Sequence, residues 1–257
     1  MQSNFKSYNF EDSRNRIDDI LNSTSSFDDK DEIPNRDTLT YTNGYYVKCC
    51  ALFVDLRDSS TLPQVHQKKV LAKIYRSYIS EIVAILNGYI NCREINIVGD
   101  CVSAVFSGQF TYHIDDTLEA AAKINSLINV LNYKLEKKGY TSIKAGIGLS
   151  WGRVLMIKAG YKGSGLNDVV YMGDAVNKAS KMCSKAMKEV QRPIVCTNDF
   201  YNNLKKEYQE LFTPSSVWNS AEYYSSSAVN TELHDWHTEQ LEKDAKRKQN
   251  NSFGNFF

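Results

Sequence analysis

Asp55 and Asp100 are the residues of this 257-residue chain best placed to do chemistry. Asp55 lies in Ala51-Leu52-Phe53-Val54-Asp55-Leu56-Arg57-Asp58-Ser59-Ser60, and Asp100 in Asn96-Ile97-Val98-Gly99-Asp100-Cys101-Val102. Each follows an apolar run where a strand should give way to a turn. Aspartate is unfavourable within a strand, so its presence there needs a reason. One reason is a turn-initiating Asp that caps backbone amides. The other is a pair of carboxylates at neighbouring strand ends, an oxygen site for Mg²⁺ or Mn²⁺, the ions that hold nucleotide phosphates. A third segment, Val170-Tyr171-Met172-Gly173-Asp174-Ala175-Val176-Asn177-Lys178-Ala179-Ser180-Lys181, spaces Asn177 and Lys181 for one helix face. Standing alone, those two read as solvated surface residues.

The elements that must position these groups follow from hydrophobic periodicity. Tyr45–Leu56 is apolar, β-branched and aromatic, which predicts a buried strand. Val70, Ile74, Tyr78, Ile82 and Ile85 predict a helix over 66–87, stopped by Gly88. Tyr89–Ile97 and Val102–Phe106 read as a hairpin about Val98-Gly99-Asp100-Cys101. A second amphipathic helix covers 115–138, and the alternation of Ile143, Ala145, Ile147 and Leu149 predicts a strand. Val154–Ile157 reads as another strand, 161–168 as a Gly-rich connection, and a helix begins near Asp174. A short strand at 194–196 and a helix over 198–207 follow. Strand, helix, strand, strand, helix, strand is a ferredoxin-like α+β order (βαββαβ), here with appended strands and helices.

Residues 1–43 are polar and read as a mobile or partly ordered dimer arm, 44–210 as the catalytic domain, and 211–257 as an aromatic extension containing Trp218 and Trp236. Net charge is +1, so no global field favours nucleic acid or an anionic membrane. No run approaches membrane-spanning length and the first residues lack a signal-peptide core, which makes the cytoplasm the expected compartment. None of the six cysteines forms a Cys-x-x-Cys pair, and they read as reduced core residues. The His234-x-x-His237 pair has no partner ligand assignable to it and reads as solvated or stacking.

Together the three segments resemble the catalytic segments of class III nucleotide cyclases. The resemblance implies that Asp55 and Asp100, with the Leu56 backbone, hold two Mg²⁺ or Mn²⁺ ions per site. It also implies that Asn177 orients the ribose and that Lys181 stands where the family usually has a phosphate-stabilising Arg. Lysine supplies charge there without the bidentate fork. The turn Asp58-Ser59-Ser60 replaces the usual Gly-Phe-Ser or Gly-Phe-Thr, leaving an amide cradle for a triphosphate. The two base-reading positions hold Asn96 and Val170, which match neither purine pattern. Over 45–200 the chain is similar to bacterial anti-phage pyrimidine cyclases, the Pycsar systems. Arg57 then reads either as a solvated turn residue or as a donor to uracil O4, which favours UTP over CTP.

The resulting expectation is a uridylate cyclase making 3′,5′-cyclic UMP from UTP. It would act as a homodimer with composite sites, bind neither nucleic acid nor membrane, and reach a separate cyclic-nucleotide-sensing effector through its product. Cytidylate or purine cyclases and a non-catalytic nucleotide-binding relative are the rivals. A diguanylate cyclase would need a Gly-Gly-Asp/Glu-Glu-Phe turn that this hairpin lacks.

Overall fold

The computed structural model describes residues 2–217 and 220–253, so Trp218 of the aromatic tail lies outside the described residues. In chain order the elements are α1 (Phe10–Asn22), β1 (Ser26–Asp29), β2 (Asn43–Arg57), α2 (Leu62–Val65), α3 (Lys68–Asn87), β3 (Cys92–Val98), β4 (Cys101–Ser107), α4 (Thr111–Glu136), β5 (Lys144–Tyr161), β6 (Leu166–Met172), α5 (Asp174–Lys185), β7 (Ile194–Thr197), α6 (Asn198–Asn202), α7 (Lys206–Gln209), β8 (Phe212–Val217), β9 (Ser220–Ser226) and α8 (Thr231–Phe253). The sheet runs β3-β4-β2-β5-β7-β9-β8, with β1 on β2 and β6 on β5. The ferredoxin-like core is therefore β2-α3-β3-β4-α4-β5, with all else added to it.

Strand alternation gives the sheet two different faces. Cys50, Leu52, Val54 and Leu56 of β2 and Ala145, Ile147 and Leu149 of β5 point into the main core, under α3 and α4. Tyr78, Phe106 and Leu52 are fully buried there, Phe106 and Leu52 each contributing about 1.5–3 kcal/mol of burial. Val47 and Cys49 of β2 and Val154 and Met156 of β5 point the other way, into a smaller core with Ala175 of α5. Asp55 and Arg57 have the same parity as Val47 and Cys49, so they lie on the α5 face.

Glycines in β5 let α5 press onto that face. A Cβ on Gly148 would stand 2.1 Å from both the Ala179 carbonyl oxygen and the Cys183 amide nitrogen, so the helix backbone occupies the side-chain position. At Gly152 the same Cβ would meet only the Ala175 Cβ, at 3.4 Å.

Several boundaries differ from expectation. β5 is one 18-residue strand rather than two, because Trp151-Gly152-Arg153 stays in register with Cys50, Cys49 and Lys48. The expected Gly-rich connection at 161–168 is a four-residue turn whose Gly163 and Gly165 take φ of 80° and 76°, and the second half of that segment begins β6. The helix expected over 198–207 is broken between α6 and α7, and Tyr89 to Asn91 precede β3 instead of belonging to it. Residues 1–43 contain α1, which buries no residue, and β1, which pairs with β2 in parallel. The arm lies against the β5–β6 turn: Asn4 donates to the Ser164 carbonyl at 2.7 Å and the Arg16 guanidinium stands 4.8 Å from the Tyr161 ring centre. At the other end of the chain, β9 pairs with β7, and Trp236 and His237 of α8 meet Tyr133 of α4 edge-on. His237 thus makes an edge-to-face aromatic contact.

Candidate active site

The β3–β4 hairpin closes through a two-residue turn, Gly99-Asp100, between the paired Val98 and Cys101. Only Gly99 of the two takes positive φ, at 64°, the pattern of a type II′ turn with glycine in its first central position. This turn carries Asp100 to the strand end beside Asp55, which is paired across β5 with Gly146. Their nearness is felt electrostatically. Burial first, and then the Asp100 charge, raise the Asp55 carboxyl above its ordinary pKa, against opposing pulls from Arg57 and Lys188. Burial, then Asp55, then Asp100 push the Cys101 thiol up to about 11, so it stays protonated at neutral pH.

Among the described residues no group of three or more His, Cys, Asp or Glu side chains gathers as a metal site. Two carboxylates crowded at one sheet end fit a divalent cation of the Mg²⁺ type, which takes few protein ligands and completes its shell with water and phosphate oxygens. Leu56, the expected backbone ligand, is buried opposite Ala145 at the same strand end.

Arg57 is not where a base reader should be. Its side chain is 3 % exposed and faces inward. Nη1 donates to Asp55 Oδ2 at 3.4 Å, and Nη2 donates to the Cys183 carbonyl at 2.7 Å. Gly146 makes the room, since a Cβ there would stand 2.2 Å from Arg57 Nη2. The guanidinium ties the Asp55 carboxylate to the C-terminal turn of α5, where a cation also complements the helix dipole. Neither a solvated turn residue nor a base donor describes this placement.

Asp58 takes a left-handed conformation, φ 55° and ψ 29°, and leads into a 3₁₀ turn over Ser59–Thr61. Asp is among the few residues other than Gly that adopt this region readily. The departure from the family's glycine is therefore compatible with the backbone, and the first amides of the turn have no helical acceptors behind them.

On α5, Ala175, Ala179, Met182 and Cys183 are buried, whereas Asn177 and Lys181 are exposed. Neither shares a hydrogen bond or ion pair of its side chain with Asp55 or Asp100 in this chain. Lys178 between them pairs with Asp174 and Asp199. Asn96 on β3 and Val170 on β6 are both exposed, with Val170 at 37 %. The chain thus brings together Asp55, Asp100, Leu56, Arg57 and the Asp58-Ser59-Ser60 turn, and leaves Asn177 and Lys181 on a separate, open face.

Three groups near the aspartates escaped the sequence reading. Lys188 lies in the loop after α5, which crosses over Gly146 with the Ala186 carbonyl. Cys183 receives Arg57, and Tyr78 buries its hydroxyl without a partner under the influence of Asp55. Tyr78 is legible only as one more position on the apolar face of α3; Lys188 and Cys183 give no local signal.

The architecture, a curled sheet with two helices on one face and two aspartates at adjacent strand ends on the other, is that of nucleotide cyclases. It superposes on the adenylyl cyclase CyaB from P. aeruginosa with a TM-score of 0.61 at 18% identity, covering 73% of this chain and 97% of that one. A class III adenylyl cyclase-like ATP-binding protein from Pseudomonas aeruginosa gives 0.65 at 17%, covering 89% and 48%. Residues 42–217 match the adenylate and guanylate cyclase catalytic domain, and the chain belongs to that family. Among its relatives are proteins named uridylate cyclase from Gulbenkiania mobilis, 50% identical over 80% of this chain and 83% of the relative, and from Treponema porcinum, 36% identical over 89% and 80%.

Proposed function

We propose that this chain is a uridylate cyclase that converts UTP to 3′,5′-cyclic UMP and pyrophosphate. The observation that carries the reading is the pairing of Asp55 and Asp100 at adjacent strand ends, in a chain half identical to a protein named uridylate cyclase. In the reaction the ribose 3′-oxygen forms a bond to the α-phosphorus. The bond from that phosphorus to the bridging oxygen breaks, pyrophosphate leaves, and the 3′ proton passes to solvent. Asp55 and Asp100, with the Leu56 carbonyl, would hold two Mg²⁺ or Mn²⁺ ions, which lower the pKa of the 3′-hydroxyl and neutralise the triphosphate.

The other groups bind and orient. Arg57 fixes the Asp55 carboxylate from behind, so the ligand does not swing as the substrate arrives. Amides of the Asp58-Ser59-Ser60 turn receive the triphosphate. Asn177 holds the ribose and Lys181 places a compact positive charge at the α-phosphate. Because Asn177 and Lys181 stand apart from the aspartates within one chain, a second copy supplies them, and the homodimer has two composite sites. Among the described residues no helix is long and apolar enough to cross a membrane; we place the enzyme in the cytoplasm, with a separate effector sensing its product.

Cytidylate cyclisation is the second reading, because burial of Arg57 removes the donor that was to reject cytosine. The test is purified protein with Mn²⁺ and an equimolar mixture of the four NTPs, with products resolved by chromatography. Cyclic UMP should dominate. Mainly cyclic CMP would establish the second reading, a purine product would overturn both, and no product would leave a nucleotide-binding relative. Asp55→Ala and Asp100→Ala should each lower turnover by at least about a thousandfold, while the thermal midpoint stays near that of the parent, since ligands are not core packing.

A further inference from the structure

The base-facing positions Asn96 and Val170 lie on β3 and β6, strands separated in the sheet by β4, β2 and β5. Four strand spacings would set them about 19 Å apart in a flat sheet. Curling of the sheet instead brings the two strands within reach of a single side chain. Arg36 Nη1 donates to Glu94 Oε2 on β3 at 3.5 Å, and Arg36 Nη2 donates to Asp168 Oδ1 on β6. Asp168 Oδ1 also accepts from the Val169 amide at 2.9 Å, which fixes its rotamer.

The bridge stands two residues from each base-facing position. Glu94 and Asn96 lie opposite Val105 and Ser103 of β4 and share a face of β3. Asp168 and Val170 likewise share a face of β6. Arg36 is itself held in place. It opens a 3₁₀ turn, Arg36–Thr38, capped by the Asn35 side chain, and Ile33 and Leu39 on either side are buried in the smaller core.

Exposed ion pairs add little stability, and the Arg36 side chain is 50 % exposed. What this bridge sets is a distance. Glu94 and Asp168 carry like charges and repel; burial and then Asp168 raise the Glu94 carboxyl pKa, and Arg36 opposes both. Without the guanidinium the two strands lose their tie and gain a repulsion.

We propose that Arg36, although it precedes the matched catalytic domain, is a positioning residue for base selection: its bridge from Glu94 to Asp168 sets the gap between the strands that carry Asn96 and Val170. This rests on the reading that positions 96 and 170 face the base. The parent, Arg36→Ala and Arg36→Lys are compared by kcat and KM for UTP and CTP, and by hydrogen–deuterium exchange of peptides spanning β3 and β6. Arg36→Ala should raise KM for UTP about tenfold with kcat nearly unchanged, and change the UTP-to-CTP ratio of kcat/KM about threefold or more. Exchange in β3 and β6 should quicken while β2 and β7 stay protected. Arg36→Lys, one compact charge that serves one carboxylate at a time, should fall between the two. Unchanged exchange would overturn the bridge. Faster exchange with both nucleotides slowed equally would overturn the role in base selection and leave a structural contact. A parent that cyclises a purine defeats the UTP reading separately, and the Arg36 comparison is then made with that nucleotide against its nearest competitor.

Discussion

Arg57 shows how one residue's placement changes what it can do. Two positions after Asp55, an arginine can turn outward to substrate or inward to the helix behind it, and the local sequence permits both. Here Gly146 opens the space, and the Cys183 carbonyl at 2.7 Å and Asp55 take the guanidinium. Removing it takes one of two donors from the buried Cys183 carbonyl, which also accepts from the Ala186 amide, and takes the guanidinium from the half-buried Asp55 carboxylate. Arg57→Ala should therefore cost about 2–3 kcal/mol of stability, the scale of lost charge-assisted hydrogen bonds, read as the shift in a urea unfolding midpoint. Turnover of UTP and CTP should fall together, because Asp55 serves both. A changed UTP-to-CTP ratio with unchanged stability would return Arg57 to the base. Base discrimination must then come from elsewhere. Asn96 and Val170 offer no purine pattern, and the Arg36 bridge governs their spacing.

At the scale of elements, what was legible is what local periodicity encodes. The apolar faces of α3 and α4 repeat at helical spacing, β2 is a continuous apolar run, the start of β5 alternates, and Gly99-Asp100 closes a tight hairpin. That sufficed for the ferredoxin-like order and for placing both aspartates at strand ends. The two strands expected over 143–157 are one, because Gly152 between them stays paired with Cys49 and makes room for Ala175. β6 was hidden behind its glycine turn, and the Arg36 bridge spans 58 and 132 residues of sequence, beyond any local pattern. The seating of α5 was equally invisible, and it depends on glycine in a way that can be measured. Gly148→Ala places a Cβ against helix backbone, so α5 must shift, at upwards of about 3 kcal/mol, the severe end of overpacking. Gly152→Ala makes only an ordinary contact and should change stability by less than about 1 kcal/mol. Thermal melts of the two variants, with Gly152→Ala as the control, compare them directly. Equal effects would mean that α5 does not rest on β5 as described.

At the scale of the whole molecule, the residues proposed to share the chemistry lie on separate surfaces of one chain. Asp55 and Asp100 converge at a strand end, whereas Asn177 and Lys181 project from the exposed face of α5. In-line displacement at an α-phosphate needs both sets within contact distance of one nucleotide, and two copies arranged about a two-fold axis meet that need twice. A composite site has a signature that a self-contained one lacks. Under the proposed division of roles, Asp55→Ala removes the metal half of its own chain and leaves its α5 intact; Asn177→Ala does the reverse. Mixed after dissociation and reassociation, the two inactive chains form heterodimers in which one site carries both lesions and the other carries neither. Random pairing makes half of the dimers mixed, so total activity should recover to about a quarter of the parent's, linear in heterodimer fraction. Subunit exchange is verified with differently tagged chains. Verified exchange without recovered cyclic product would show that each chain completes its own site, and Asn177 and Lys181 would then lose their assigned roles.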